Sequence, residues 1–119
     1  MSTSAHPQHS TREMRFRNGT ALGISNKWTG GQYCTILTAT GIIGCGIYDM
    51  RTAAAFNQAV AIARGTPTQP LVEPEDLLDA KIVDCTPLAR RYGVAIGMTG
   101  RDAVECLLAA AQQQQAAQQ

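Results

Sequence analysis

A chain of 119 residues with a 45% apolar share has the length and composition of one small globular domain. Lys plus Arg number 10 against 9 for Asp plus Glu, and a formal net charge of +1 supplies no field that would collect nucleic acid or an anionic membrane. The four cysteines, Cys34, Cys45, Cys85 and Cys106, include no C-x-x-C pair, and the two histidines, His6 and His9, fall in a polar N-terminal stretch, so no metal site and no cofactor is expected.

In chain order, residues 1–12 (MSTSAHPQHSTR) offer almost nothing to bury and are expected to form a disordered lead. They contain no apolar run of the signal-peptide kind, and no later stretch of ~20 apolar residues could span a bilayer. The chain therefore reads as cytoplasmic, with its thiols reduced.

From Met14 the pattern changes to short apolar runs broken by glycine: MRF, ALGI, YCTILTAT and GIIGCGIYD. These predict a meander of antiparallel strands. In the third run Cys34, Ile36 and Thr38 alternate with Tyr33, Thr35, Leu37 and Ala39, and Thr40-Gly41 is short enough for a tight hairpin into the fourth. Asn26 to Gly31 (NKWTGG) reads as a polar tip between strands, where Lys27 and Trp28 are candidates for contact with a ligand or a partner chain.

After Asp49, a candidate N-cap, Ala53, Phe56, Val60 and Ala63 recur at helical spacing until Gly65 and Pro67, predicting an alanine-rich helix lying close to the sheet. Gly44 and Gly46 would permit that approach. A proline-rich connection over 66–74 leads to a short helical turn at 75–79, a brief strand at 81–85 and a helix opening at Thr86-Pro87 with Gly93 as C-cap. Thr99 and Asp102 fit a capping box that starts a last helix at Gly100, whose buried stripe is Ala103, Val104, Leu107 and Leu108. The expected organisation is one domain over 13–110, followed by a Gln/Ala-rich tail over 111–119 that is helical or frayed. Its fold class is α+β, an antiparallel sheet of about four to six strands covered by two or three helices.

The runs GIIGCGIYD, DLLDAKI and YGVAIGMTGRDAVECL resemble the YunC-like family, a bacterial and archaeal domain of unknown function, over roughly Phe16 to Leu108. Cys45 falls where that family's motif has a cysteine, and Gly100-Arg101 matches its terminal turn. The NKWTGG loop departs from the family pattern. The resemblance implies a small α+β domain and carries no activity with it.

Three features could hold chemistry. Cys45 stands about four residues before a helix start with Arg51 in the first turn, a setting that can lower a thiol's pKa, although the folded part offers no histidine as base. The alternative is a small buried residue beneath a helix. Thr99, Gly100 and Arg101 are the parts of an anion site at a helix N-terminus, and also of an ordinary capped helix start. Asp49 and Asp84 each precede a helix, where carboxylates cap. Only Lys27 and Lys81 among the basic residues are lysines, so Arg51 or Arg101 is the group expected to grip a small anionic ligand. Cys34, Cys85 and Cys106 have no partner at useful spacing and read as packing residues.

Two readings follow. The first is a non-catalytic homo-oligomeric module that binds a small molecule or a protein, because the sheet looks too apolar for its helices to cover. The alternative is a small thiol-dependent enzyme or redox protein using Cys45 with an anion-binding arginine.

Overall fold

A computed structural model describes residues 6–117. Among these residues six strands form one sheet in sequential order: β1 (Gln8–Phe16), β2 (Gly19–Trp28), β3 (Gly31–Leu37), β4 (Gly41–Gly44), β5 (Ala59–Ala63) and β6 (Ile82–Cys85). Every neighbouring pair is antiparallel except β4 and β5, which run parallel. Helices α1 (Met50–Ala55), α2 (Pro87–Arg91) and α3 (Gly100–Ala117) and a 3-10 turn at Pro74–Leu77 complete a single α+β domain.

The expected disordered lead over 1–12 is cut short, because β1 begins at Gln8; residues 1–5 lie outside the described part. A ladder needs backbone groups rather than apolar side chains, and a polar edge strand is also protected against pairing with another chain. Arg12 fastens this edge through ion pairs to Glu73 at 2.8 Å and Glu75 at 2.6 Å. The expected tail is helical as far as Ala117, with residues 118–119 outside the description.

The helix expected to run from Asp49 to Gly65 ends at Ala55, and the run AVAIA forms β5 instead. All five of its residues are buried, as suits a central strand with a parallel neighbour. Asn57, at φ 54, takes the left-handed conformation that closes the helix, and Phe56 is 73% exposed rather than part of a buried stripe. A helix over that whole span would have left β4 without its parallel partner. The short α1 provides the crossover that a parallel pair requires.

One face of the sheet carries the core. The register sets Ile36, Ile43, Ala61 and Cys85 side by side across β3 to β6. Val104 and Leu107 of α3 and Leu77 of the 3-10 turn join the same fully buried cluster. Gly100 makes this closure possible, since a Cβ there would stand 1.8 Å from the Leu77 carbonyl oxygen. On the opposite face Leu22, Leu37, Ile42 and Val60 form a second row across β2 to β5. Val60 is buried, but Leu22 is 39% and Leu37 42% exposed.

The NKWTGG tip is not an open loop. Asn26, Lys27 and Trp28 belong to β2, Trp28 pairs with Gly31, and only Thr29 and Gly30 form the turn. The indole lies over Gly31, 6.2 Å from the Tyr33 ring, while Lys27 is tied to Glu73 at 2.6 Å. Lys27 and Arg12 together hold the Glu73 carboxyl down at about 2.

Candidate functional site

The site is built by the β3–β4 hairpin. Thr38 closes its turn, the hydroxyl donating to the Gly41 carbonyl at 2.7 Å and accepting from the Gly41 N–H at 3.0 Å. That turn sets Thr35 opposite Gly44, and one step beyond the end of the ladder Cys34 faces Cys45. The Cys45 N–H donates to the Cys34 carbonyl at 3.2 Å, so the chain stays paired one residue beyond β4.

The two thiols perturb each other, in unlike surroundings. Cys34 is 0% exposed within the core cluster, whereas Cys45 is only partly buried and packs at the cluster's margin. A negative charge shared by such a pair settles on the sulfur nearer water. The Cys34 thiol, hydrogen-bonding to the Cys45 sulfur, brings Cys45 down to about 6 against the opposing effect of its burial; the peptide groups of Cys34, Ile47 and Cys45 itself assist. Cys34 is pushed up by the same hydrogen bond, by burial, and by the charges of Cys45, Asp76 and Glu73. Cys34 thus acts as the proton-holding donor and Cys45 as a thiolate near neutral pH, the form in which a thiol is nucleophilic.

Tyr48 packs behind the pair, on the face of the hairpin that carries Thr35 and Gly44. Its ring lies against Gly44, where a Cβ would stand 2.2 Å from it, so this glycine makes room for Tyr48 and not for α1. The phenol hydrogen-bonds to the Thr35 hydroxyl, and its pKa is raised chiefly by burial and further by Tyr33 and the two sulfurs. Gly46 has open space around it, so the chain next to Cys45 is unobstructed. Neither Gly44 nor Gly46 therefore owes its presence to Ala53.

The other candidate residues lie apart from this arrangement or are engaged. Asp49 is the N-cap of α1, accepting from the N–H groups of Arg51 and Thr52 and from the Thr52 hydroxyl, which lowers its pKa. Arg51 is exposed in the first turn of α1. Around Gly97 to Arg101, the Gly100 N–H donates to the Ala80 carbonyl at 2.8 Å, Arg101 N–H to Leu78 at 3.1 Å, and Asp102 N–H to the Thr99 hydroxyl at 3.2 Å. The donors an anion would need there are already bonded, and the Arg101 guanidinium sits 5.9 Å from the Phe16 ring centroid. The turn is a joint between α3 and the 3-10 segment. Asp84 accepts from the Cys85 N–H instead of capping α2, a role taken by Thr86. Burial raises the thiols of Cys85 and Cys106.

Sequence reading took Cys34 for a packing residue and passed over Tyr48 and Thr35. The spacing about the Thr38 to Gly41 turn was the signal for Cys34, since pairing Thr35 with Gly44 forces Cys34 beside Cys45. Among the described residues no group of three or more His, Cys, Asp and Glu could hold a metal ion, and no helix is long and apolar enough to cross a membrane.

A family model described as a domain of unknown function, DUF1805, matches residues 44–107, just over half of the chain and including Cys45 and Tyr48. The fold is similar to that of a protein of unknown function, TA1206, from Thermoplasma acidophilum. The TM-score is 0.73 at 18% identity, covering 85% of this chain and 94% of that one. No curated protein matches.

Proposed function

The chain belongs to the family of the domain of unknown function DUF1805, and we propose that it works as a small thiol-dependent redox protein or enzyme with Cys45 as the reactive group. The finer YunC-like assignment and a cytoplasmic setting, where thiols are kept reduced, form part of this proposal. The reading is carried by the pairing of a fully buried Cys34 with a partly exposed Cys45 across the strand end, joined by the Cys45 N–H to the Cys34 carbonyl. Arg51, exposed one helical turn past Tyr48, is the cation proposed to receive an anionic substrate. The test is limiting alkylation of the native protein at neutral pH with peptide mapping. Cys45 should label well ahead of Cys34, Cys85 and Cys106; labelling of Cys45 only after denaturation would overturn the reading.

A second reading, a non-catalytic oligomeric binding module, is favoured by a different observation. The Leu22, Leu37, Ile42 row continues the sheet's second face into solvent, and two copies could bury it against each other. Light scattering should then report more than one chain at micromolar concentration, and Leu37→Glu should return it to a monomer. A wild-type monomer would remove this reading.

A further inference from the structure

Thiol pairs separated by a hairpin can do more than share a proton. Cys34 and Cys45 face each other one step beyond the β3–β4 ladder, joined by a single backbone bond from the Cys45 N–H to the Cys34 carbonyl at 3.2 Å. Residues facing each other across antiparallel strands have Cα atoms about 4.5–5.5 Å apart, inside the range of roughly 4.4–6.8 Å that a disulfide spans. No competing partner is at hand, because the Cys85 sulfur points at the Val94 carbonyl, 4.0 Å away, and the Cys106 sulfur lies beneath Gly93.

Exposure gives the pair a direction. Cys34 is fully buried, so nothing dissolved can reach its sulfur, while Cys45 is partly open and flanked by the unobstructed Gly46. β4 ends at Gly44, so the backbone carrying Cys45 can shift toward Cys34 without moving the Ile36 and Ile43 core. One thiol is placed to meet a substrate and the other only to meet the first thiol.

We propose that Cys34 is the resolving thiol for Cys45, and that the pair exchanges with disulfide substrates to form an intramolecular Cys34–Cys45 disulfide across β3 and β4. The proposal rests on the reading of Cys45 as the reactive group and adds a substrate class and a second residue. The Cys45 thiolate attacks one sulfur of a disulfide R–S–S–R, breaking that bond and releasing one thiolate, with Cys45 left as the mixed disulfide. The released thiolate takes its proton from water and departs as thiol. Cys34 then attacks the Cys45 sulfur, the Cys45–S–R bond breaks as the Cys34–Cys45 bond forms, and the Cys34 proton leaves with the second R–S group as thiol. Two protein thiols are oxidised by two electrons and the substrate disulfide is reduced to two thiols.

The experiment uses the reduced full-length chain, excess glutathione disulfide, trapping of remaining thiols by alkylation, and peptide mass mapping. Wild type should lose two of its four thiols, yield a Cys34–Cys45 linked peptide, retain no glutathione, and recover fully with dithiothreitol. Cys34→Ser should halt with glutathione held on Cys45, and Cys45→Ser should leave Cys34 reduced. Wild type retaining glutathione on Cys45 to the same extent as Cys34→Ser would overturn the resolving role while leaving Cys45 reactive. Wild type with no modification would overturn both this inference and the reading beneath it. If Cys34→Ser does not fold, as judged by circular dichroism, the wild-type map alone decides between these outcomes.

Discussion

Removing the buried donor should expose how much of the Cys45 reactivity belongs to Cys34. In Cys34→Ala the hydrogen bond that does most to hold Cys45 at about 6 is gone, and its midpoint should rise toward that of an ordinary thiol, about 8.5. At pH 7 the thiolate fraction would fall about 30-fold, yet the more basic thiolate is intrinsically about 10-fold more nucleophilic, leaving a net loss of only about 2- to 3-fold. At pH 6 the fraction falls about 160-fold and the net loss is about 15-fold, so the low-pH arm is where the effect can be read. The assay is the pH dependence of the Cys45 alkylation rate from pH 5 to 9, resolved by peptide mapping, with thermal melts confirming that the variant folds. Cys34→Ser, which keeps a donor, should give an intermediate midpoint. An unchanged midpoint in Cys34→Ala would refute the reasoning, because the peptide groups around Cys45 would then be sufficient.

The same titration bears on stability. Folding depresses the Cys45 pKa, so its contribution is complete above the unfolded value of about 8.5 and is lost as pH falls through about 6; urea midpoints of wild type should rise from pH 6 to 8 more steeply than those of Cys45→Ser. Gly100→Ala would set a Cβ 1.8 Å from the Leu77 carbonyl oxygen, and should lower stability in urea by about 1–3 kcal/mol; an unchanged midpoint would mean that the joint yields. Thr86, 2% exposed, donates to the Gln58 carbonyl at 2.6 Å and accepts from the Val60 N–H at 3.0 Å, linking α2 to β5. Thr86→Val strands both backbone groups and should cost about 2–4 kcal/mol in the same assay; a loss below measurement would show that water replaces the hydroxyl.

Where local chemistry and tertiary context agree, the sequence was readable. The Thr38 to Gly41 hairpin, the Thr99 cap of α3 with its Ala103, Val104, Leu107 and Leu108 stripe, and the Thr86-Pro87 start of α2 all follow from short-range rules. The stretch from Ala53 to Ala63 misleads because its apolar residues satisfy helical spacing by coincidence. A five-residue apolar run is equally consistent with a buried strand, and a β4 strand apolar on both faces needed one beside it. The first part of β1 was hidden for the opposite reason, since an edge strand held by its ladder and by Arg12 can be polar from Gln8 to Glu13, and only its end at MRF carries an apolar signal. The thiol site depends on register. A slip of one residue in the hairpin would turn Cys34 away from Cys45, and the turn geometry at Thr38 together with the burial of Ile36 and Ile43 excludes it.

Titrating the native reduced protein by the ultraviolet absorbance of its thiolate addresses the account's central claim without a reagent or a substrate. One thiolate should appear with a midpoint near 6 and be missing in Cys45→Ser, with the remaining thiols silent until alkaline pH. A first thiolate appearing only near the ordinary value of about 8.5, or one that persists in Cys45→Ser, would contradict it.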